Sequence, residues 1–235
     1  MKTLIIDDER LARKELMTLL EAHKDIEVVD EAVNADDAIE KISQHQPGLI
    51  FLDVQMPGKT GFDLLAELDR VPQVIFTTAY DEFALKAFEV SALDYLLKPI
   101  QSDRLADALR KVNFSSDGVV QDQKLGKDDS VFVKDGDKCW FVKLEKVRLF
   151  ESDGNYIKVY FDTFRPMIHK SLNALDERLD ERTFFRASRK HIINLGWVEK
   201  IDTWFNGGLL VELKGGDKIE VSRRQAARFK ERMSL

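Results

Sequence analysis

Three carboxylates, one hydroxyl and one ammonium group stand at comparable places along the first hundred residues. Asp7 and Asp8 close the apolar run Leu4-Ile5-Ile6, and Asp53 closes Leu49-Ile50-Phe51-Leu52. Thr78 follows Val74-Ile75-Phe76, and Lys98 follows Tyr95-Leu96-Leu97. If each run is a buried strand of one parallel sheet, all five side chains meet at the rim where such sheets bind ligands. Carboxylates crowded into a partly desolvated crevice repel one another, and a hard divalent cation relieves that repulsion. Mg²⁺ fits because it binds through one or two carboxylates, keeps waters and accepts a phosphate oxygen. A carboxylate oxygen of Asp53 then becomes a nucleophile towards phosphorus. Lys98 neutralises the transferring oxygens, and Thr78 donates a hydrogen bond to the product. Taken singly, the ordinary readings are favoured: Asp8 as a helix cap, Asp53 as a turn former and Lys98 as a solvated charge. Their joint placement at strand ends favours the chemistry.

The elements that must position these residues are legible as period. Short apolar runs, including Val28-Val29, alternate with amphipathic stretches: Leu11 to Leu20, Ala38 to Ile42, Leu64-Leu65-Leu68, Phe83-Ala84-Ala87-Phe88 and Leu105-Leu109-Val112. The pattern predicts an α/β fold of five β-then-α repeats, a doubly wound, flavodoxin-like parallel sheet with helices on both faces. The second half differs. Val131-Phe132-Val133, Trp140-Phe141-Val142, Ile157 to Phe161 and Leu209 to Leu213 are short, and Asp135-Gly136, Asp153-Gly154, Gly207-Gly208 and Gly215-Gly216 punctuate them. Lys218-Ile219-Glu220-Val221-Ser222 alternates with a period of two. Mainly antiparallel β structure is expected there, with helices at Leu172 to Leu179 and Arg223 to Met233.

Composition bounds the function. The chain has 235 residues, 44% hydrophobic and 33% charged, which leaves room for two ordinary domains. It contains no apolar run of about 18 residues, so membrane insertion is not expected. The acidic turn at Asp7-Asp8-Glu9 interrupts any secretory signal, and the single Cys139 excludes an intrachain disulfide framework. A cytoplasmic location follows as an expectation. Residues 1–112 carry 13 Lys and Arg against 22 Asp and Glu, a balance of −9, whereas the remainder carries +3. From Thr183 onward 11 basic residues face 6 acidic ones. This asymmetry suits an acidic control domain joined to a domain that meets a polyanion, and it equally suits ordinary scatter between two soluble domains. The stretch Phe184 to Asn194 mixes apolar anchors with Arg186, Arg189 and Lys190, and Ser222-Arg223-Arg224 opens the last expected helix. Cations so placed suit duplex DNA, and a solvated face over a core gives the same pattern.

Motifs separate these readings. Leu4-Ile5-Ile6-Asp7-Asp8-Glu9, Phe51 to Gly58, Thr78-Ala79 and Lys98-Pro99 resemble a two-component receiver domain over about residues 1–112. The resemblance implies that Asp53 is the phosphoacceptor. It further implies that Asp8, Asp53 and the carbonyl of Gln55 coordinate Mg²⁺, with Asp7 holding a metal-bound water. Thr78 and Tyr95 match the family's switch pair, which carries the signal to the face of the fourth and fifth helices, and the Lys98–Pro99 peptide is expected to be cis.

A second resemblance covers about residues 128–235, leaving 113–127 as a polar linker. Phe150 to Ile157, Lys170-Ser171-Leu172 with Leu175, Phe185-Arg186 through Ile193-Asn194, and Val221-Ser222-Arg223-Arg224 are similar to the LytTR (LytR/AlgR-type) DNA-binding domain. That family is mainly antiparallel β and reads DNA through loops. The resemblance implies base reading near Asn155, by Arg189 and by Arg224, with phosphate contacts from Lys170, Lys190 and Arg223. Ser188-Arg189-Lys190 departs from the family's usual His-to-Ser segment, and His191 receives no role.

Together these features lead to the expectation of a two-component response regulator rather than an enzyme. A sensor histidine kinase phosphorylates Asp53, and the β domain binds promoter duplex DNA as a homodimer. A phosphoaspartyl hydrolase of similar layout would need an acid two residues after its nucleophile, where Gln55 stands. A β domain that binds protein or RNA is the other alternative, distinguished by a steep salt dependence of DNA binding.

Overall fold

A computed structural model of the chain describes residues 1–79, 93–114, 124–136 and 138–233. The expected helical stretch at Phe83 to Phe88 lies outside these residues, as does most of the expected linker. The chain divides into two compact units. One comprises Met1–Gln123 with Gly136–Phe141, and the other Lys124–Asp135 with Val142–Leu235.

In the first unit, β1 (Lys2–Ile6), β2 (Glu27–Ala32), β3 (Leu49–Asp53), β4 (Gln73–Thr78) and β5 (Asp94–Leu97) form a five-stranded sheet in the order β2-β1-β3-β4-β5. Every pairing in it is parallel. The helices are α1 (Arg10–Leu20), α2 (Ala35–His45), α3 (Gly61–Glu67) and α4 (Ser102–Leu109). All five residues of β3 are buried, as a central strand covered on both faces requires. Alternation sorts its neighbours between those faces. Ile5, Phe51, Ile75 and Leu96 pack with Leu16 and Leu20 of α1 and Leu105 and Leu109 of α4. Phe76, from an alternate position, meets Phe62 of α3 with ring centroids 5.1 Å apart on the opposite face.

Local chemistry sets the helix starts. Asn34 caps α2 by accepting from the Asp37 amide at 2.9 Å, and Thr60 and Asp63 make a reciprocal capping box for α3. Helix α3 begins directly against the acidic rim, since a Cβ on Gly61 would lie 2.4 Å from the Asp53 carbonyl oxygen.

In chain order, β6 (Ser130–Asp135) of the second unit and β7 (Lys138–Lys143), which passes from the first unit into the second at Val142, precede β8 (Val147–Asp153), β9 (Tyr156–Phe161), β10 (Met167–Ile168), β11 (Phe184–Arg186) and β12 (His191–Asn194) of the second. The last five form an antiparallel sheet in the order β10-β9-β8-β12-β11. Strands β13 (Val198–Thr203), β14 (Leu209–Leu213) and β15 (Lys218–Val221) make a second antiparallel sheet. Helices α5 (Leu172–Arg178) and α6 (Arg223–Met233) occupy the two expected positions. The two sheets share a core in which Leu149, Phe185 and Ile193 meet Leu209, Val211 and Val221, and Phe229 of α6 packs against Phe185 at 5.1 Å.

Two polar ties fix this unit. Buried Asn194 donates to the carbonyls of Val147 at 2.8 Å and Leu144 at 3.3 Å while accepting from the Gly196 amide at 2.9 Å, so its amide is satisfied from both ends. Arg148 pairs with Asp217 at 2.6 Å, joining the start of β8 to the β14–β15 turn. That turn is built on Gly215 and Gly216, both at positive φ. The fold is therefore a doubly wound parallel α/β unit followed by a mainly antiparallel β unit, as the sequence pattern predicts. Strands β8, β10, β11, β12 and β13 are additions to the strands named from period. Their alternation is broken by polar residues at Glu151, Arg186 and Asn194 that tertiary partners satisfy.

Candidate functional site

The acidic rim assembles from two strand ends, and a third supplies an ammonium group. Asp7 and Asp8 follow β1, Asp53 ends β3, and one carboxylate oxygen from each lies within 4.8 Å of the others. Asp7 and Asp53 are buried, whereas Asp8 is exposed. Lys98, immediately after β5, places its ammonium 2.7 Å from both Asp7 Oδ2 and Asp53 Oδ2. The remaining oxygens are also engaged: Asp7 Oδ1 accepts from the Glu9 amide at 2.9 Å and Asp53 Oδ1 from the Gln55 amide at 3.1 Å.

Two of the simpler readings do not describe this geometry, whereas Asp53 does accept from the amide two residues on, as a turn former would. Helix α1 has Glu9 at its N-cap with no side-chain cap bond, so Asp8 is not its cap. Lys98 is mostly buried rather than a solvated charge. Burial pushes the Asp53 carboxyl above its ordinary range even with Lys98 beside it. Burial also works against the charge of Lys98, but Asp53 and Asp7 outweigh it and hold the ammonium above its usual value. Three carboxylates around a single ammonium leave an excess of negative charge in a hard-oxygen donor set. Such a set fits Mg²⁺.

Thr78 is fully buried at the end of β4, and its carbonyl accepts from the Lys98 amide at 2.8 Å. Tyr95 lies in β5 paired with Phe76, and its ring is largely buried. Gln55 is exposed on the loop after β3, and the Lys98–Pro99 peptide is cis. One contributor carried no sequence signal. Arg13 of α1 is buried, donates to the Asp7 carbonyl at 2.8 Å and pairs with Glu31 of β2 at 2.7 Å. It anchors the backbone that carries both aspartates, and on period alone it is only one polar position of an amphipathic helix.

The candidate nucleic-acid residues lie at loop ends of the second unit. Asn155 sits exposed in the β8–β9 turn, with Gly154 at φ +61. Arg189 and Lys190 are exposed in the β11–β12 loop, and the Lys190 carbonyl accepts from Ser152 at 2.8 Å, so this loop and the β8–β9 turn are neighbours. Lys170, partly exposed, follows β10, whose Ile168 pairs with Ile157 beside that turn. These four therefore share one end of the larger sheet. Arg223 and Arg224, both exposed, open α6 after β15. Relative to the Arg148–Asp217 pin, each group occupies the far end of its own sheet.

Two residues organise the β11–β12 loop from behind. The Arg186 guanidinium donates to the carbonyls of Ser188 at 2.7 Å, Arg189 at 2.9 Å and Leu172 at 2.9 Å, which turns the Arg189 and Lys190 side chains outward. His191 meets Ser188 Oγ at 3.1 Å through Nδ1 and Glu151 at 3.7 Å through Nε2, and Glu151 in turn accepts from the Tyr160 hydroxyl. Sequence alone does not show the contact of His191 with Glu151, which lies on a strand that only the fold brings alongside.

Comparison with known proteins accords with this geometry. The family model described as the response regulator receiver domain matches residues 3–110, and that of the LytTr DNA-binding domain matches residues 137–234. "Sensory transduction protein LytT" of Enterococcus faecalis is 33% identical over 241 residues, with both chains covered completely. The protein of the same name from Bacillus cereus is 34% identical over 245 residues, again covering both chains. Among solved structures, the response regulatory domain of mrkE from Klebsiella pneumoniae is 35% identical. The match covers 48% of this chain and 94% of that one, with a TM-score of 0.44. The chain belongs to the LytTR family of two-component response regulators. It joins a receiver domain to a DNA-binding domain that regulates transcription.

Proposed function

We propose that Asp53 is the phosphoacceptor of a receiver spanning residues 1–112, joined through 113–127 to a DNA-reading domain at 128–235. The observation that carries this reading is the Lys98 ammonium 2.7 Å from both Asp7 and Asp53, beside a third carboxylate on Asp8. Asp8, Asp53 and the Gln55 carbonyl would hold Mg²⁺, with Asp7 holding one of its waters. The ion supplies charge neutralisation for the phosphoryl oxygens.

An Asp53 oxygen attacks phosphorus. The new O–P bond forms as the P–N bond to the kinase histidine breaks, and that nitrogen retains the bonding pair. Lys98, already oriented by two carboxylates, offsets charge on the transferred group. Thr78 donates its hydroxyl to the aspartyl phosphate, and Tyr95 moves with it as the switch. The same pocket takes part in its own dephosphorylation, and the chain acts on no outside substrate. The phosphoryl group adds about −1.5 to −2 charges, enough to rebias two conformations that differ by a few kcal/mol.

On this reading the partners are a sensor histidine kinase and promoter duplex DNA, bound as a homodimer in the cytoplasm. No helix among the described residues is long and apolar enough to cross a membrane. Asn155, Arg189 and Arg224 read bases, while Lys170, Lys190 and Arg223 meet phosphates. Incubation with acetyl phosphate and Mg²⁺ tests the acceptor. Wild type is expected to incorporate phosphate and Asp53→Asn is not, and unchanged incorporation in the variant would overturn the assignment.

A further inference from the structure

The β13–β14 hairpin exposes aromatic surface that no residue of the DNA assignment above uses. Phe205 is 78% exposed and Trp204 37%, and the two rings meet edge to face with centroids 5.0 Å apart. Burying a phenylalanine side chain stabilises a fold, so a tip that holds one in water forgoes that stabilisation unless a partner covers it. The backbone fixes the presentation. Asn206 and Gly207 both have positive φ, at 54° and 79°, and Trp204 and Gly208 close the turn through a 2.9 Å amide-to-carbonyl bond. At Gly208 an added Cβ would lie 2.9 Å from the Val221 carbonyl, so the hairpin is seated directly on the strand that leads into Arg223. The Arg223 stem passes 3.8 Å from where a Gly207 Cβ would stand.

Charge and continuity identify the occupant. The aromatic tip adjoins the exposed Arg223 and Arg224 at the start of α6. It lies at the end of its sheet remote from the Arg148–Asp217 pin, as Asn155, Arg189 and Lys190 do on theirs. An aromatic flanked by cations is the combination that duplex-binding proteins set against a thymine methyl or a loosened base step. We infer that the Trp204–Phe205 hairpin is a further DNA-contacting element, in which Phe205 makes an apolar groove contact beside the phosphates met by Arg223. This rests on the DNA-binding reading of the second unit and adds an uncharged contact to it.

Its signature is a loss of affinity without loss of salt dependence, because phenylalanine displaces no counterions. Duplexes are selected by the full chain from a random library. Wild type, Phe205→Ala, Phe205→Leu and Arg224→Ala are then titrated on a selected duplex at several salt concentrations, with thermal unfolding and light scattering alongside. Phe205→Ala is expected to bind roughly tenfold more weakly, about 1.4 kcal/mol, with an unchanged salt slope and unfolding temperature. Phe205→Leu should recover most of the loss. Wild-type affinity in Phe205→Ala overturns the inference and leaves the DNA-binding reading intact. So does a change in oligomeric state without DNA, which would make the hairpin a contact between copies. If wild type selects no duplex, the DNA-binding reading itself falls, and this inference with it.

Discussion

At the scale of single residues, burial decides which charges are structural and which are available. Arg13, Arg148 and Arg186 are each engaged by backbone carbonyls or by carboxylates, whereas Arg189, Arg223 and Arg224 stand exposed. His191 lies between these groups. Burial lowers its pKa from the ordinary value, despite the opposing pull of Glu151, while Lys190 and Arg186 push in the same direction as burial. A histidine whose folded pKa lies below its unfolded value leaves the unfolded chain binding more protons in the interval between the two. Stability is therefore expected to fall as pH drops below about 6.5 towards the folded value. Urea unfolding at pH 7.5, 6.5 and 5.5 checks this. His191→Asn should lose less stability over that range than wild type, and parallel curves would show that His191 titrates alike in both states.

At the scale of elements, the acidic rim depends on how closely α3 approaches β3. Gly61 opens α3 with its amide 2.9 Å from the Val54 carbonyl, and no side chain fits between it and Asp53. Gly61→Ala must therefore shift the helix start or the strand end. Overpacking of this kind costs about 1–3 kcal/mol. The strand end carries Asp53, the proposed phosphoacceptor, so acetyl phosphate labelling is expected to slow as well, and a stable variant with wild-type labelling would contradict the packing. Glu181 makes a comparable tie in the second unit. Lys124 and Arg232 hold its carboxyl down to about 2, linking α6 to the turn before β11, although its exposure to water makes the energetic return small.

For the whole molecule, the charge balance is −9 over residues 1–112 and +3 over the rest. On the proposed function the net-positive part meets DNA phosphates through Lys and Arg, and joining it to the receiver makes one chain both receiver and effector. Binding of a selected duplex should therefore weaken steeply with salt. Arg224→Ala is expected to lose about 1–3 kcal/mol of discrimination at one base pair, whereas Lys190→Ala should weaken all sequences alike and reduce the salt slope by about one. Competition titrations against single-base variants at several salt concentrations separate the two outcomes.

The division between what sequence and tertiary structure contribute follows from range. Strand and helix periods are local, so the five strands of the first unit, the described helices after the first, second, third and fifth of them, the Gly-punctuated β half and the helices at Leu172 and Arg223 are legible from the chain alone. So is the recurrence of acidic, hydroxyl and ammonium side chains at strand ends, because the period that defines a strand also defines where it stops. Which charge meets which is not local. Lys98 reaches Asp53 across 45 residues, and Asn194 reaches Val147 across 47. The helical period of α1 does not mark Arg13 as the residue that braces Asp7, nor does the basic run at Phe184 to Asn194 show that Arg186 turns inward while Arg189 turns out. Only folding decided those partners, because a buried polar group takes whatever donor or acceptor the packed neighbours bring within reach.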